Sequence, residues 1–185
     1  PPVRTIAETA EVPSQPAEPA AVSGLENVKP PLADSGTVLE PFSGGELVKS
    51  KTTGSWQTHN GTDFKAEVGA EVFAVSSGEI MKIENNALWG ITVTLDHHNG
   101  YVTRYCGLGS DLSVQEGDVI SIDIPSGMDA DTGECFHPCV AADLTVTMAL
   151  PKLGMASEAP ETLEHCGRIE VADMDLHDEV KRSFI

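Results

Sequence analysis

A chain of 185 residues can hold one ordinary domain or two small ones, and 40% hydrophobic residues with only 5% aromatics supply an aliphatic core for part of that length. The formal charge of -18, with only 11 Lys and Arg spread along the chain, argues against nucleic acid as a partner, because neutralising phosphates needs clustered cations. Four cysteines, at 106, 135, 139 and 166, are too few to staple a chain this long and argue against a disulfide architecture.

In chain order, residues 1–35 are rich in Pro, Ala, Glu and Ser and read as a disordered, solvated linker, since they offer almost no branched or aromatic surface to bury. From Gly36 the texture changes to short apolar runs: Thr37-Val38-Leu39, Glu71 to Val75, Gly78 to Ile83, Ile91 to Leu95 and Tyr101 to Tyr105. Their β-branched content and period-two alternation predict strands, with tight connections at Ser76-Ser77-Gly78, Glu84-Asn85-Asn86 and His98-Asn99-Gly100. Asn99-Gly100 is a strong hairpin signal, because both residues tolerate positive φ. An antiparallel, all-β module is therefore expected over residues 36–120. His97 and His98, at the end of a strand, are expected to face solvent at that hairpin.

Past residue 120 the pattern shifts to continuous apolar strands, Val119 to Ile124, Ala142 to Ala149 and Gly167 to Asp173, with polar residues at their carboxyl ends. Such strands suit a buried parallel sheet. No segment there has a long 3.6-residue apolar period, so residues 121–185 read as a partial α/β, Rossmann-like fragment lacking its helices. The fold class expected is thus mainly β, with the linker before the module and the fragment after it. No run approaches the roughly 20 apolar residues that span a bilayer, although the chain opens on Pro1 rather than Met, which leaves room for an upstream anchor or signal.

The stretch Trp56 to Phe64 sets His59 four residues before Asp63 beside Gly61. Imidazole and carboxylate are both zinc ligands, and a catalytic zinc takes three protein ligands plus water. Taken alone, the pair reads more simply as a surface histidine in a turn and an aspartate that hydrogen-bonds the turn's backbone. The sequence Trp56-x-Thr58-His59-Asn60-Gly61-x-Asp63, followed by Gly69-Ala70-Glu71-Val72-x-Ala74-Val75-x-x-Gly78, Leu88-Trp89-Gly90, Leu95-Asp96-His97-His98-Asn99-Gly100, Tyr105 and Gly117-Asp118, resembles the LytM/lysostaphin-type zinc peptidases. Within that family it looks most like the sporulation stage II Q-like branch of bacteria.

The resemblance implies a β-fold that binds cell-wall peptide and makes His59 and Asp63 two ligands of a zinc site. It also exposes departures. The catalytic histidine that active members carry two residues after the matched tyrosine is Gly107 here, and no His-x-His strand exists to supply the third ligand and second catalytic histidine. Only weak zinc binding is expected from half a site, and hydrolysis is expected to fail.

A second constellation follows. Asp123 ends an apolar strand just before Pro125-Ser126-Gly127, which taken alone is ordinary turn chemistry. Ile122 to Gly133, Ala141 to Thr147, Leu150-Pro151-Lys152-x-Gly154 and Gly167 to Asp173 closely resemble the final third of NAD(P)H-hydrate epimerases. That resemblance implies that Asp123 contacts the hydrated nucleotide and that Ser126 helps to ligate potassium, while the family's earlier loop and most of its sheet are absent. Cys135-x-x-x-Cys139 with His165-Cys166 offers the ligand types of a zinc cluster, but its spacing matches no zinc finger, and the epimerase resemblance implies that these residues lie in a loop.

Together these features predict a degenerate, truncated, non-catalytic LytM-type module joined as a chimera to an epimerase fragment. Its partner would be cell-wall peptide or another extracytoplasmic protein, and an unpaired strand edge would invite oligomers. Its place would be tethered outside the membrane. The alternative is hydrate-epimerase activity in the cytoplasm, in the C-terminal part, completed by a partner chain.

Overall fold

The computed structural model describes residues 24–25, 28–33, 37–51, 53–157 and 159–172. Most of the expected linker, and the chain from residue 173 onward, lie outside these.

The centre of the fold is one six-stranded mixed sheet. It contains β5 (Gly78–Asn86), β6 (Gly90–Asp96), β7 (Val102–Leu108), β8 (Val119–Ile122), β9 (Leu144–Met148) and β10 (Arg168–Ala172), in the spatial order β10-β9-β8-β5-β6-β7. Strands β8 to β5, β5 to β6 and β6 to β7 pair antiparallel, whereas β8–β9 and β9–β10 pair parallel. Two small ribbons precede it: β1 (Thr37–Glu40) pairs with β4 (Asp63–Lys65), and β2 (Val48–Lys49) pairs with β3 (Trp56–Gln57). The fold is mainly β, as expected.

Among the described residues no separate Rossmann-like fragment is found. The apolar strands after residue 119 are parallel to one another, as their composition suggests, but they continue the antiparallel sheet instead of forming a second body. The reason is pairing: β5 would otherwise present an open edge, and β8 closes it through Gly78↔Ile120 and Glu79↔Val119. One core then forms across the junction, with Ile80, Val93 and Leu95 from one side meeting Ile120, Ile122, Leu144, Val146 and Ala172 from the other.

A short helix absent from the sequence reading, α1 (Pro160–Cys166), carries the chain from β9 back to β10. Seven residues are too few to display a helical period. Its limits are nonetheless marked by Pro160 at the first turn and Gly167 at the C-cap. Its end is tied to β9, where Thr145 Oγ1 donates to the Cys166 carbonyl (2.7 Å), and Met128, Cys135, Met155 and Cys166 form a satellite core.

Two other expectations need correction. Residues 71–75 form no strand. Their neighbour is the segment at 29–31, to which they are joined by Lys29 N–H to Val75 O (2.8 Å) and Phe73 N–H to Pro31 O (2.9 Å). Pro30 and Pro31 have no N–H to donate, so no ladder can propagate. Leu32, in the last part of the expected linker, is buried beside this seam.

His97 does not face solvent. It is buried, with Nδ1 2.6 Å from the Ser77 carbonyl and Nε2 2.9 Å from Thr103 Oγ1. Thr103 in turn bonds the Tyr105 hydroxyl, which accepts the Val75 N–H, so this histidine ties β6 and β7 to the preceding loop. His98, with φ 54°, does face solvent at the hairpin, near Glu79 and Asp96.

Candidate functional site

The His59 loop is held from behind by the chain just after β1. Ser43 N–H donates to the His59 carbonyl (2.9 Å), and His59 N–H donates to Ser43 Oγ (3.0 Å). On the ring, Nδ1 lies 2.9 Å from the Pro41 carbonyl and Nε2 lies 3.1 Å from Asp63 Oδ1. Asp63 opens β4, and an irregularity in β1 after Val38 places it opposite Glu40. The sequence-predicted pair is therefore brought together by two paired strands and a pinned turn. Beside it lies a shallow open cleft of about 300 Å³, lined by Glu40, Pro41, Phe42, Ser43 and neighbours.

The Pro41 carbonyl and the Asp63 carboxylate both accept, so satisfying both requires a proton on each ring nitrogen. The His59 pKa is accordingly raised above the ordinary 6.5, chiefly by the Pro41 carbonyl; burial, the next influence in size, opposes the shift, and the Asp63 carboxylate adds to it. A raised histidine contributes its pairing fully below 6.5 and loses it as pH rises through the higher value. An NMR titration of the His59 ring should therefore give a midpoint above 6.5, and Asp63→Asn should move it down.

The proton between Nε2 and Asp63 occupies the place a metal would take. Two ligand atoms 3.1 Å apart are close to the edge of a tetrahedral zinc site, about 3.3 Å for bonds of 2.0–2.1 Å. The Pro41 carbonyl fixes the tautomer that leaves Nε2 for the ion. Glu40 is buried nearby with an Oε1 that has no hydrogen-bond partner. These observations fit two ligand positions. Among the described residues, no third His, Cys, Asp or Glu converges on the pair within ligating distance. The position expected to hold a catalytic histidine is Gly107, which has φ 75° and bonds through its N–H to the Trp89 carbonyl (2.8 Å).

The second predicted site lies on the crossover from β8 to β9. Asp123 follows β8 at φ 74°, and its Oδ1 accepts from Lys152 Nζ (2.7 Å) and from the Met148 N–H (3.2 Å). Burial pushes this carboxyl's pKa up, but the Lys152 ammonium and the Met148 N–H outweigh it and hold the group below the ordinary carboxylate range. Lys152 was not singled out from the sequence as a site residue. Ser126 is exposed, and its carbonyl accepts the Val140 N–H (2.9 Å).

The structure also gathers residues that the spacing argument set aside. Cys135 and Cys139 of the crossover loop and His165 of α1 place one ligand atom each within 4.8 Å of one another. Spacing gave no support for the group, because His165 arrives from a helix too short to be read. Burial, and then the adjacent Cys139 thiol, push the Cys135 pKa up to about 11.

A β-module with a His-x-x-x-Asp pair at the mouth of a strand ribbon is the class that fold and site define. Residues 57–141 match the model of Peptidase family M23, a stretch that runs past the junction expected near residue 120. The chain is 33% identical over 88 residues to the peptidoglycan DD-endopeptidase ShyA of Vibrio cholerae, covering 48% of this chain and 20% of that protein. It is also 51% identical over 59 residues to the bifunctional NAD(P)H-hydrate repair enzyme Nnr of Moorella thermoacetica, covering 32% of this chain and 11% of that one. With the NAD(P)H-hydrate epimerase of Levilactobacillus brevis it shares 30% identity over 92 residues, half of this chain and 40% of that protein. The chain spans less than half the length of each of these curated relatives. No helix among the described residues is long and apolar enough to cross a membrane.

Proposed function

We propose that this chain is an M23-type module that holds peptidoglycan peptide outside the membrane without cleaving it. The observation that carries this reading is the half-built metal centre: His59 and Asp63 meet at 3.1 Å, while Gly107 occupies the matched catalytic position in a left-handed backbone. The M23 match and the identity to a peptidoglycan endopeptidase support the substrate class. Zinc, on which peptidases of that family depend, would be held by His59 Nε2 and Asp63. It would supply Lewis-acid polarisation of a carbonyl. Two protein ligands would retain it weakly, and position 107, where the resemblance implies a proton-moving histidine, is glycine.

Co-sedimentation with purified sacculi and chromatography of released muropeptides test this reading. Sedimentation without new muropeptides is expected, with zinc present or absent. Failure to sediment, or muropeptide release that disappears in His59→Ala, would overturn it. Gly107→His is expected to restore no hydrolysis and to destabilise the protein by about 1–2 kcal/mol, because an L side chain at φ 75° is strained; a denaturant titration measures the loss.

A second reading is favoured by the 51% identity to a hydrate-repair enzyme and by the position of Asp123 at the carboxyl end of parallel strand β8. In that reading the C-terminal strands form one wall of a cytoplasmic hydrate-epimerase site whose other wall comes from a partner chain. Conversion of R to S hydrate followed by NMR, lost in Asp123→Ala, would favour it over the first.

A further inference from the structure

We propose that Cys135, Cys139 and His165 bind a zinc ion that ties the β8–β9 crossover loop to α1. This site is separate from the His59–Asp63 pair, and the inference does not rest on the function proposed above.

The donor set is two thiols and an imidazole, the soft and borderline ligands that select zinc over magnesium or calcium. All three ligand atoms lie within 4.8 Å of one another. Around a tetrahedral ion with Zn–S near 2.3 Å and Zn–N near 2.0 Å, such atoms stand about 3.3–3.8 Å apart. Closing on the ion therefore asks for shifts of about an ångström, within the reach of side-chain torsions.

The imidazole is already oriented. His165 Nδ1 lies 3.0 Å from the Val140 carbonyl, which can only accept, so that bond puts the ring proton on Nδ1 and the lone pair on Nε2. A backbone carbonyl behind a ligating histidine is the usual outer support of a zinc site. The cysteines are oriented too. The loop is fastened at the residue after each of them by Phe136 N–H to Gly127 O (2.8 Å) and Val140 N–H to Ser126 O (2.9 Å), and Cys135 sits in the satellite core with Met128, Met155 and Cys166.

All four cysteines of the chain are free thiols. Cys166, although adjacent to His165, is turned into that core, with its Sγ 3.6 Å from Met128 Sδ, and does not join the set. Cys139 and His165 are only half-buried, so the fourth position faces solvent and takes water. Binding forms two Zn–S bonds and one Zn–N bond and releases two thiol protons to solvent.

Cobalt(II) titration of the reduced full chain reads this site directly, because only thiolate ligands give sulfur-to-cobalt charge-transfer absorption. One equivalent of cobalt, displaced by zinc, is expected in the wild-type protein and in His59→Ala. Cys139→Ser, at a half-buried position where folding should survive, is expected to lose about half of the charge-transfer intensity. His165→Gln is expected to bind at least about tenfold more weakly. Zinc should raise the Tm of the wild-type protein and not that of Cys139→Ser. The proposal is overturned if the reduced wild-type chain shows no charge-transfer band, or if the band survives Cys139→Ser unchanged and vanishes in His59→Ala. A chain that fails to bind sacculi yet shows the band refutes the cell-wall reading alone.

Discussion

Leu144→Ala is expected to destabilise the protein by about 2–5 kcal/mol and to do so across the whole sheet, not in the C-terminal strands alone. Leu144 is 3% exposed on β9, paired with Ile120 on one side and Arg168 on the other. Its side chain belongs to the same cluster as Ile80, Val93 and Leu95, which come from the antiparallel strands. Removing it opens a cavity at the point where the two halves of the core meet, and the backbone ladders on both sides limit how far the site can collapse. Denaturant unfolding followed by Trp fluorescence should show one transition moved to lower midpoint. Hydrogen exchange should accelerate at β5 and β6 as much as at β9. Faster exchange confined to β9 and β10 would mean that the two halves fold independently.

This coupling was the part of the fold least visible in the sequence. Alternating Ile91 to Leu95 and the Asn99-Gly100 turn predict β6 and its hairpin, and the structure has both. The apolar strands around Ile120 and Val146 were legible as parallel, because continuous apolar runs mean burial on both faces. Which strand they join is a matter of unpaired edges, and an edge is a property of the assembled sheet. Residues 71–75 show the converse failure, since their pattern is that of a strand and their neighbour is a pair of prolines. For the sites, a His-x-x-x-Asp spacing within one turn is readable locally, and its two side chains do meet. Cys135, Cys139 and His165 become a cluster only after β9 and α1 have brought the chain back, which no local pattern encodes.

Gly167→Ala carries the other large expected effect, more than about 3 kcal/mol, and it should disable the cysteine–histidine cluster as well. Gly167 caps α1 with φ 56° and ψ -141°, a combination essentially reserved for glycine, which costs other residues about 1–3 kcal/mol. Space adds to that cost. A Cβ here would press on the Ala142 carbonyl and stand 2.5 Å from the Asp143 carbonyl oxygen, both of them backbone atoms at the entrance to β9. Neither can move freely. The Ala142 N–H donates to the His165 carbonyl (3.0 Å), and the Asp143 carbonyl accepts the Arg168 N–H (2.9 Å), so these bonds set the registration of α1 and β10 against β9. Relief of the clash requires α1 to lift, which would carry His165 away from Cys135 and Cys139. Thermal unfolding should reveal the lost stability. Cobalt titration below the new Tm should show weaker binding than wild-type while the His59 titration midpoint stays unchanged, because β1 to β4 lie outside this contact. Unaltered cobalt affinity at reduced Tm would place the strain in the backbone alone and leave the position of α1 intact.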